Sequence, residues 1–165
     1  MPVAEINAYN LSLFVHVTAV VVGLGSTFAE ALFFPVAMKL NPRHLPLVHR
    51  LQLAINQYFA TPALLLIILT GIYQVLDADY SFGDPWISGS FAIAIAIGAL
   101  NGAYFIPEDR KLGPMVEREV AAAGDGEVTL SPEYQARAKR QGMAGALTGV
   151  LVVTAIFLMV TKPGL

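Results

Sequence analysis

The sequence predicts an all-α polytopic membrane protein, an antiparallel bundle of four transmembrane helices forming a single domain over residues 1–165. Three observations carry that expectation. The 165-residue chain is 56% apolar and 13% charged with a mean hydropathy of +0.62, too hydrophobic and too poor in charge for a soluble domain. Four apolar stretches each have the roughly 20 residues that a helix needs to cross a hydrocarbon core of about 30 Å. Nine of the ten Lys and Arg residues fall between positions 39 and 50 or between 110 and 140, in the connections beside those stretches. Basic connections resist translocation, so Lys39, Arg43, Arg50, Arg110, Lys111, Arg118, Arg137, Lys139 and Arg140 are expected in the cytoplasm. Both termini are then expected outside a cytoplasmic (inner) membrane. The connection from Asp77 to Pro85, with three aspartates and no basic residue, is expected outside with them.

The first span is expected from about Leu11 to Met38, closed by the Asn41-Pro42 turn. It contains Ala29-Glu30-Ala31, which has the small-x-small form of a signal cleavage site. Residues 1 to 10 hold Glu5 and no Lys or Arg, however, and the apolar run far exceeds a signal's core of about 7 to 15 residues, so it is read as a span. The second helix begins near Pro46, a favoured first-turn residue, is polar and partly exposed through His49, Arg50 and Gln52, and spans from about Asn56 to Leu76. Pro62 should bend it by removing a backbone donor. The third span runs from Trp86 to Ile106, with Trp86, Tyr80 and Phe82 suited to anchoring at the interface. A cytoplasmic connection, 107–130, follows, in which residues 110 to 120 form a short surface helix and Ala-Ala-Ala-Gly-Asp-Gly at 121 to 126 the flexible middle. Ser131-Pro132-Glu133 supplies an N-cap, a first-turn proline and an early acid, so the fourth helix starts before the bilayer, crosses from about Gly142 and ends at Thr161.

A net charge of -2 and a pI near 5.9 argue against a nucleic-acid partner and leave the lipid bilayer as the expected one. The absence of Cys excludes disulfides, thiolate metal sites and a Cys nucleophile. No phosphate loop, dinucleotide fingerprint or Ser-His-Asp arrangement is present. Small residues recur at four-residue spacing, Ala94, Gly98 and Gly102 on the third helix and Gly145 with Gly149 on the fourth. Such rows let helix backbones approach closely, inside the bundle in the preferred reading and between copies of the chain, as a homo-oligomer, in the alternative.

Ionisable residues inside a span are the default functional clue, because hydrocarbon disfavours the charged form. His16 and Glu30 are 14 residues apart, close to four helical turns, and Gly23 and Thr27 fall on the same strip, which is expected to face the bundle. By rise per residue His16 lies roughly 8 Å below the outer boundary and Glu30 about 28 Å below it. His16 is expected near Tyr73 and Gln74. Glu30 is expected near Asn56, Gln57, Thr61, Asn101 and Tyr104, in a polar cluster on the cytoplasmic side. Two readings stand for each. Glu30 is an interfacial acid paired with Arg50, Arg110 or Lys111, or a proton-accepting group in a polar pathway. His16 is a neutral imidazole held by Gln74 or a backbone carbonyl, or an axial haem or other metal ligand.

His16, Gly23, Gly25 and Pro35 in the first span, Thr70-Gly71-Ile72-Tyr73 closing the second and Pro85-Trp86 opening the third make nearly the whole chain resemble a family of predicted integral membrane proteins of unknown function. More distantly it resembles the copper-resistance D membrane proteins and the four-helix haem-binding protoporphyrinogen oxidases, which also place a histidine early in the first span. The oxidase resemblance implies a haem b in the bundle with His16 as its ligand. Three functions are therefore carried forward: a b-haem or other cofactor-binding redox protein using His16 and Gln74; a proton-coupled small-solute carrier or channel with Glu30, Thr27, Asn56 and Asn101 along its path; and a non-catalytic accessory subunit of a membrane complex.

Overall fold

The computed structural model describes residues 7–164, so Glu5 and its neighbours lie outside the described residues. Four helices run in alternating directions: α1 (Ala8–Leu40), α2 (Pro42–Asp77), α3 (Pro85–Ala122) and α4 (Pro132–Thr161), each long and apolar enough to cross a membrane. Their starts follow from local chemistry. The Asn7 side chain accepts from the Asn10 N–H at 2.8 Å, and Ser131 Oγ accepts from the Tyr134 N–H at 3.2 Å, so each cap satisfies a donor that the first turn leaves free. Proline opens α3 and α4, where a missing N–H costs nothing. Large apolar side chains face outward along all four helices, with Phe14 at 66%, Leu69 at 63%, Ile95 at 61% and Val160 at 77% exposure, a surface suited to acyl chains and not to water.

Three apolar cores are stacked along the bundle. The middle one joins Ala19, Leu24, Ala63, Leu64, Ile67, Ile97 and Val152. At the end that carries the chain termini, Val75, Trp86 and Ile87 pack with Tyr80, Phe91 and Leu158. Trp86 is therefore buried instead of standing at a lipid interface. Its ring meets Tyr80 edge-on at 5.2 Å, and Lys162 Nζ lies 5.0 and 5.2 Å from the two ring centroids. The third core lies at the opposite end, where the basic residues cluster, and buries Leu45, Leu112, Val116 and Tyr134 completely.

That basic-end core changes the expected path. Residues 107–122 continue α3 instead of forming a connection with a separate surface helix, so the ordinary loop shrinks to the stretch before Pro132. At 1.5 Å per residue the 38 residues of α3 measure about 57 Å, well beyond the hydrocarbon thickness of about 30 Å. The projecting segment packs on the start of α2, and an Arg43 Nη2 donor reaches the Gly126 carbonyl at 2.6 Å across the same end.

Each of the first three helices contains one wide π turn: Val20–Leu24, Asn56–Ala60 and Asn101–Phe105. Two of them are followed, one residue later, by proline, in Asn56-Gln-Tyr-Phe-Ala-Thr-Pro62 and Asn101-Gly-Ala-Tyr-Phe-Ile-Pro107. The wide turn absorbs the donor that proline lacks, so Pro107 does not end α3 and Pro62 does not break α2. In α1 the extra residue rotates the second half by about 100° relative to the first. His16 and Glu30 nonetheless both turn into the bundle, His16 onto Thr70 of α2 and Glu30 onto the side of α2 that carries Asn56.

Within the chain the small-residue rows are only partly packed, Ala94 being buried and Gly149 lying against Phe28. A Cβ added at Gly98, Gly102 or Gly145 would meet nothing within 4 Å, whereas one at Gly23 would lie 1.9 Å from Ala63 Cβ. Gly23 is thus the contact that sets the α1–α2 separation.

Candidate functional site

Where the second half of α1 faces α4, the helices leave a cavity of about 660 Å³. It extends along α4 from Ala138 to Thr154, roughly 24 Å at the helical rise. Phe28, Val150 and Val153 both line it and are exposed, so it opens sideways toward the lipid between α1 and α4. Gly142, Gly145 and Gly149 form much of the α4 wall, and their missing side chains keep the space free. Glu30, Thr27, Asn56 and Asn101 all line this cavity, together with His49, Gln52 and Gln141.

The polar side is one connected network. Asn101 Nδ2 donates to the Asn56 carbonyl at 3.3 Å and to Thr61 Oγ1 at 2.9 Å, so the two proline-linked π turns are tied together. Asn56 Nδ2 donates to Asp109 Oδ2 at 3.4 Å, while Gln141 Nε2 donates to the other oxygen of the same carboxylate. His49 Nδ1 lies 3.5 Å from Asp109 Oδ1, within ion-pair reach but longer than a good hydrogen bond, and its Nε2 is 2.8 Å from the Tyr134 hydroxyl. Asp109 and His49 are each 2% exposed. Glu30 faces the Asn56 side chain and lies close enough to Asp109 for their charges to interact.

Three oxygens at the cavity are buried and unpartnered: Glu30 Oε1, Gln52 Oε1 and Asn101 Oδ1. All three are acceptors. The Asn101 orientation is fixed because its nitrogen faces a carbonyl, which cannot donate. None of the cations considered for Glu30 pairs with it: Arg50 pairs with Glu117 on the surface, and Arg110 and Lys111 are exposed. No Lys or Arg lines the cavity.

His16 sits elsewhere. It is 6% exposed, and its Nδ1 is 2.8 Å from Thr70 Oγ1, whose own hydrogen goes to the Leu66 carbonyl. Gln74, expected beside it, donates instead to Ser12 Oγ at 3.4 Å. Gly71 presents bare backbone here, and a Cβ on it would stand 3.6 Å from His16 Cε1 and 3.4 Å from Phe91. His16 does not line the cavity, and its Nδ1 is taken up by Thr70.

Sequence reasoning missed Asp109, Gln141 and the buried state of His49, because the segments bearing them were assigned to the aqueous side. Two signals were present. Leu112, Val116 and Val120 repeat at four-residue spacing past Pro107, as a helix with one buried face requires, and Asn-x5-Pro occurs on both α2 and α3.

Fold and cavity together define a four-helix integral membrane protein with a largely apolar pocket that carries one polar side toward its basic end. The chain belongs to the family described as Predicted integral membrane protein (DUF2269), which it matches over residues 10–163. No curated protein and no solved structure matches it.

Proposed function

We propose that the protein is a proton-coupled carrier of a small solute, with the α1–α4 cavity as its binding site and Glu30 as the group that exchanges the proton. The observation carrying this reading is the buried, unpartnered Glu30 oxygen facing a drug-sized, partly apolar cavity. A line of polar groups leads away from it, through Asn56 and Asp109 to His49 and Tyr134 at the basic end. The charged or titratable groups facing Glu30 are Asp109 from α3 and His49 from α2, and α4 contributes only the neutral Gln141. The distribution of basic residues supports a cytoplasmic location for this end, with both termini outside the cytoplasmic membrane, which reporter fusions at each terminus test directly.

Proteoliposomes holding a trapped pH dye and offered small cationic, neutral and anionic solutes test the carrier. Solute entry should move protons in the wild type. Glu30→Gln should abolish the coupling, and Glu30→Asp should retain part of it. Wild-type flux that is indifferent to a pH gradient rejects the reading.

A second variant separates site from fold. Gly145→Leu has room for its side chain but fills the cavity, so it should leave the melting temperature within a few degrees of wild type while lowering solute binding at least tenfold. Unchanged binding would place the solute elsewhere.

A further inference from the structure

The cavity's chemistry points to a class of solute, which rests on reading the cavity as a solute site. We infer that it receives a small organic ammonium ion with an apolar body. Four buried atoms at the cavity lack a hydrogen-bond partner; one is His49 Nδ1, which lies 3.5 Å from Asp109 Oδ1, and the other three are acceptor oxygens, on Glu30, Gln52 and Asn101, which together ask for a ligand that donates several hydrogen bonds. Asn101 is 4% exposed and its oxygen cannot turn away, because its nitrogen is engaged twice.

Charge selects further among donors. Glu30 lines the cavity and Asp109 stands behind it, while none of the basic side chains of that end lines it; Arg137 pairs with Glu108 at 3.0 Å and with Glu133 at 3.1 Å, and Arg50 with Glu117. An anion would meet carboxyls with no cation to offset them, whereas an ammonium group supplies both the missing charge and up to three donors. His49 is the one group that works against a cation, and its two ring nitrogens already face Asp109 and Tyr134. Phe28, Phe34 and Phe105 bring aromatic rings to the cavity wall, and Leu64, Ile97 and Val153 an apolar wall for the body. The sideways opening admits a molecule that partitions into the bilayer with its charged head at the interface.

The test uses three probes of equal length, n-hexylamine, n-hexanol and n-hexanoate at neutral pH, titrated calorimetrically against the purified full chain in nanodiscs of phosphatidylcholine. Hexylammonium should bind at least tenfold more tightly than hexanol, and hexanoate least. Glu30→Gln and Asn101→Leu should each remove most of that preference, bringing hexylammonium binding down toward that of hexanol, and intact melting transitions identify folded variants. Hexanoate binding as well as hexylammonium, or an amine preference that survives Glu30→Gln, overturns the inference. Binding of none of the probes overturns it and the solute-site reading together. Amine-selective binding without pH-dependent flux sustains the inference and rejects the carrier. Nanodiscs with added phosphatidylethanolamine separate two sources of the same chemistry: competition assigns the site to a lipid ammonium headgroup, no competition to a free amine, and either result supports ammonium recognition.

Discussion

Gly23→Ala should be the most disruptive single methyl addition in the protein, costing at least about 3 kcal/mol and lowering yield of folded material in detergent. The added Cβ would stand 1.9 Å from Ala63 Cβ and 3.4 Å from both Ala63 Cα and the Phe59 carbonyl. Two of those atoms are backbone, so no rotamer change relieves the clash and α1 must move off α2. The middle core on both sides of the contact, including Ala19, Leu24, Leu64 and Ile67, would open with it. Gly25→Ala is the matched control, since its Cβ would meet nothing within 4 Å and alanine favours a helix by about 0.5–1 kcal/mol. Thermal unfolding of the two variants should shift in opposite directions. Equal melting temperatures would mean that the α1–α2 contact is looser than described.

Asp109→Leu should be the most damaging polar substitution, at about 3–5 kcal/mol, the usual consequence of removing one member of a buried charged network. The carboxylate accepts from Asn56 and Gln141 and stands beside His49, and all three would lose their partner inside a buried site. Asp109→Asn keeps the shape and one acceptor oxygen and should cost markedly less. Pairing each with Tyr134→Phe in a double-mutant cycle measures whether the Tyr134–His49 bond depends on Asp109, with a coupling above about 0.5 kcal/mol expected. An Asp109→Leu protein as stable as wild type would show that the network carries no stability.

The fold class was legible because its signals are long and redundant. Four apolar runs, the clustering of basic residues and the Ser131-Pro132 start each stand out from their surroundings. The extent of α3 was not legible by the same rules, since Pro107 with Glu108, Asp109, Arg110 and Lys111 has the composition of a loop, and only the spacing of Leu112, Val116 and Val120 says otherwise. Composition rules assign a segment to water or lipid, and this one belongs to neither, being packed against α2 beyond the bilayer. Glu30, Asn56 and Asn101 stood out as exceptions within apolar runs, whereas Asp109, His49 and Gln141 look unexceptional in polar segments and acquire meaning only from the partners that tertiary packing brings. The inward strip of α1 was legible from its spacing, although a count at 3.6 residues per turn carries no record of the residue inserted at Val20–Leu24.

The basic-end core clamps α1, α2, α3 and α4 to one another beyond the bilayer, through Ala37, Leu45, Leu112 and Tyr134. Below that clamp α1, α2 and α3 each carry one soft joint in the form of a π turn, and among the described residues α4 carries none. If the pocket widens to admit cargo, α4 stays held at both ends, by Tyr134 in the clamp and by Leu158 and Lys162 against Trp86 and Tyr80, so the displacement falls on the jointed half of α1 that faces it.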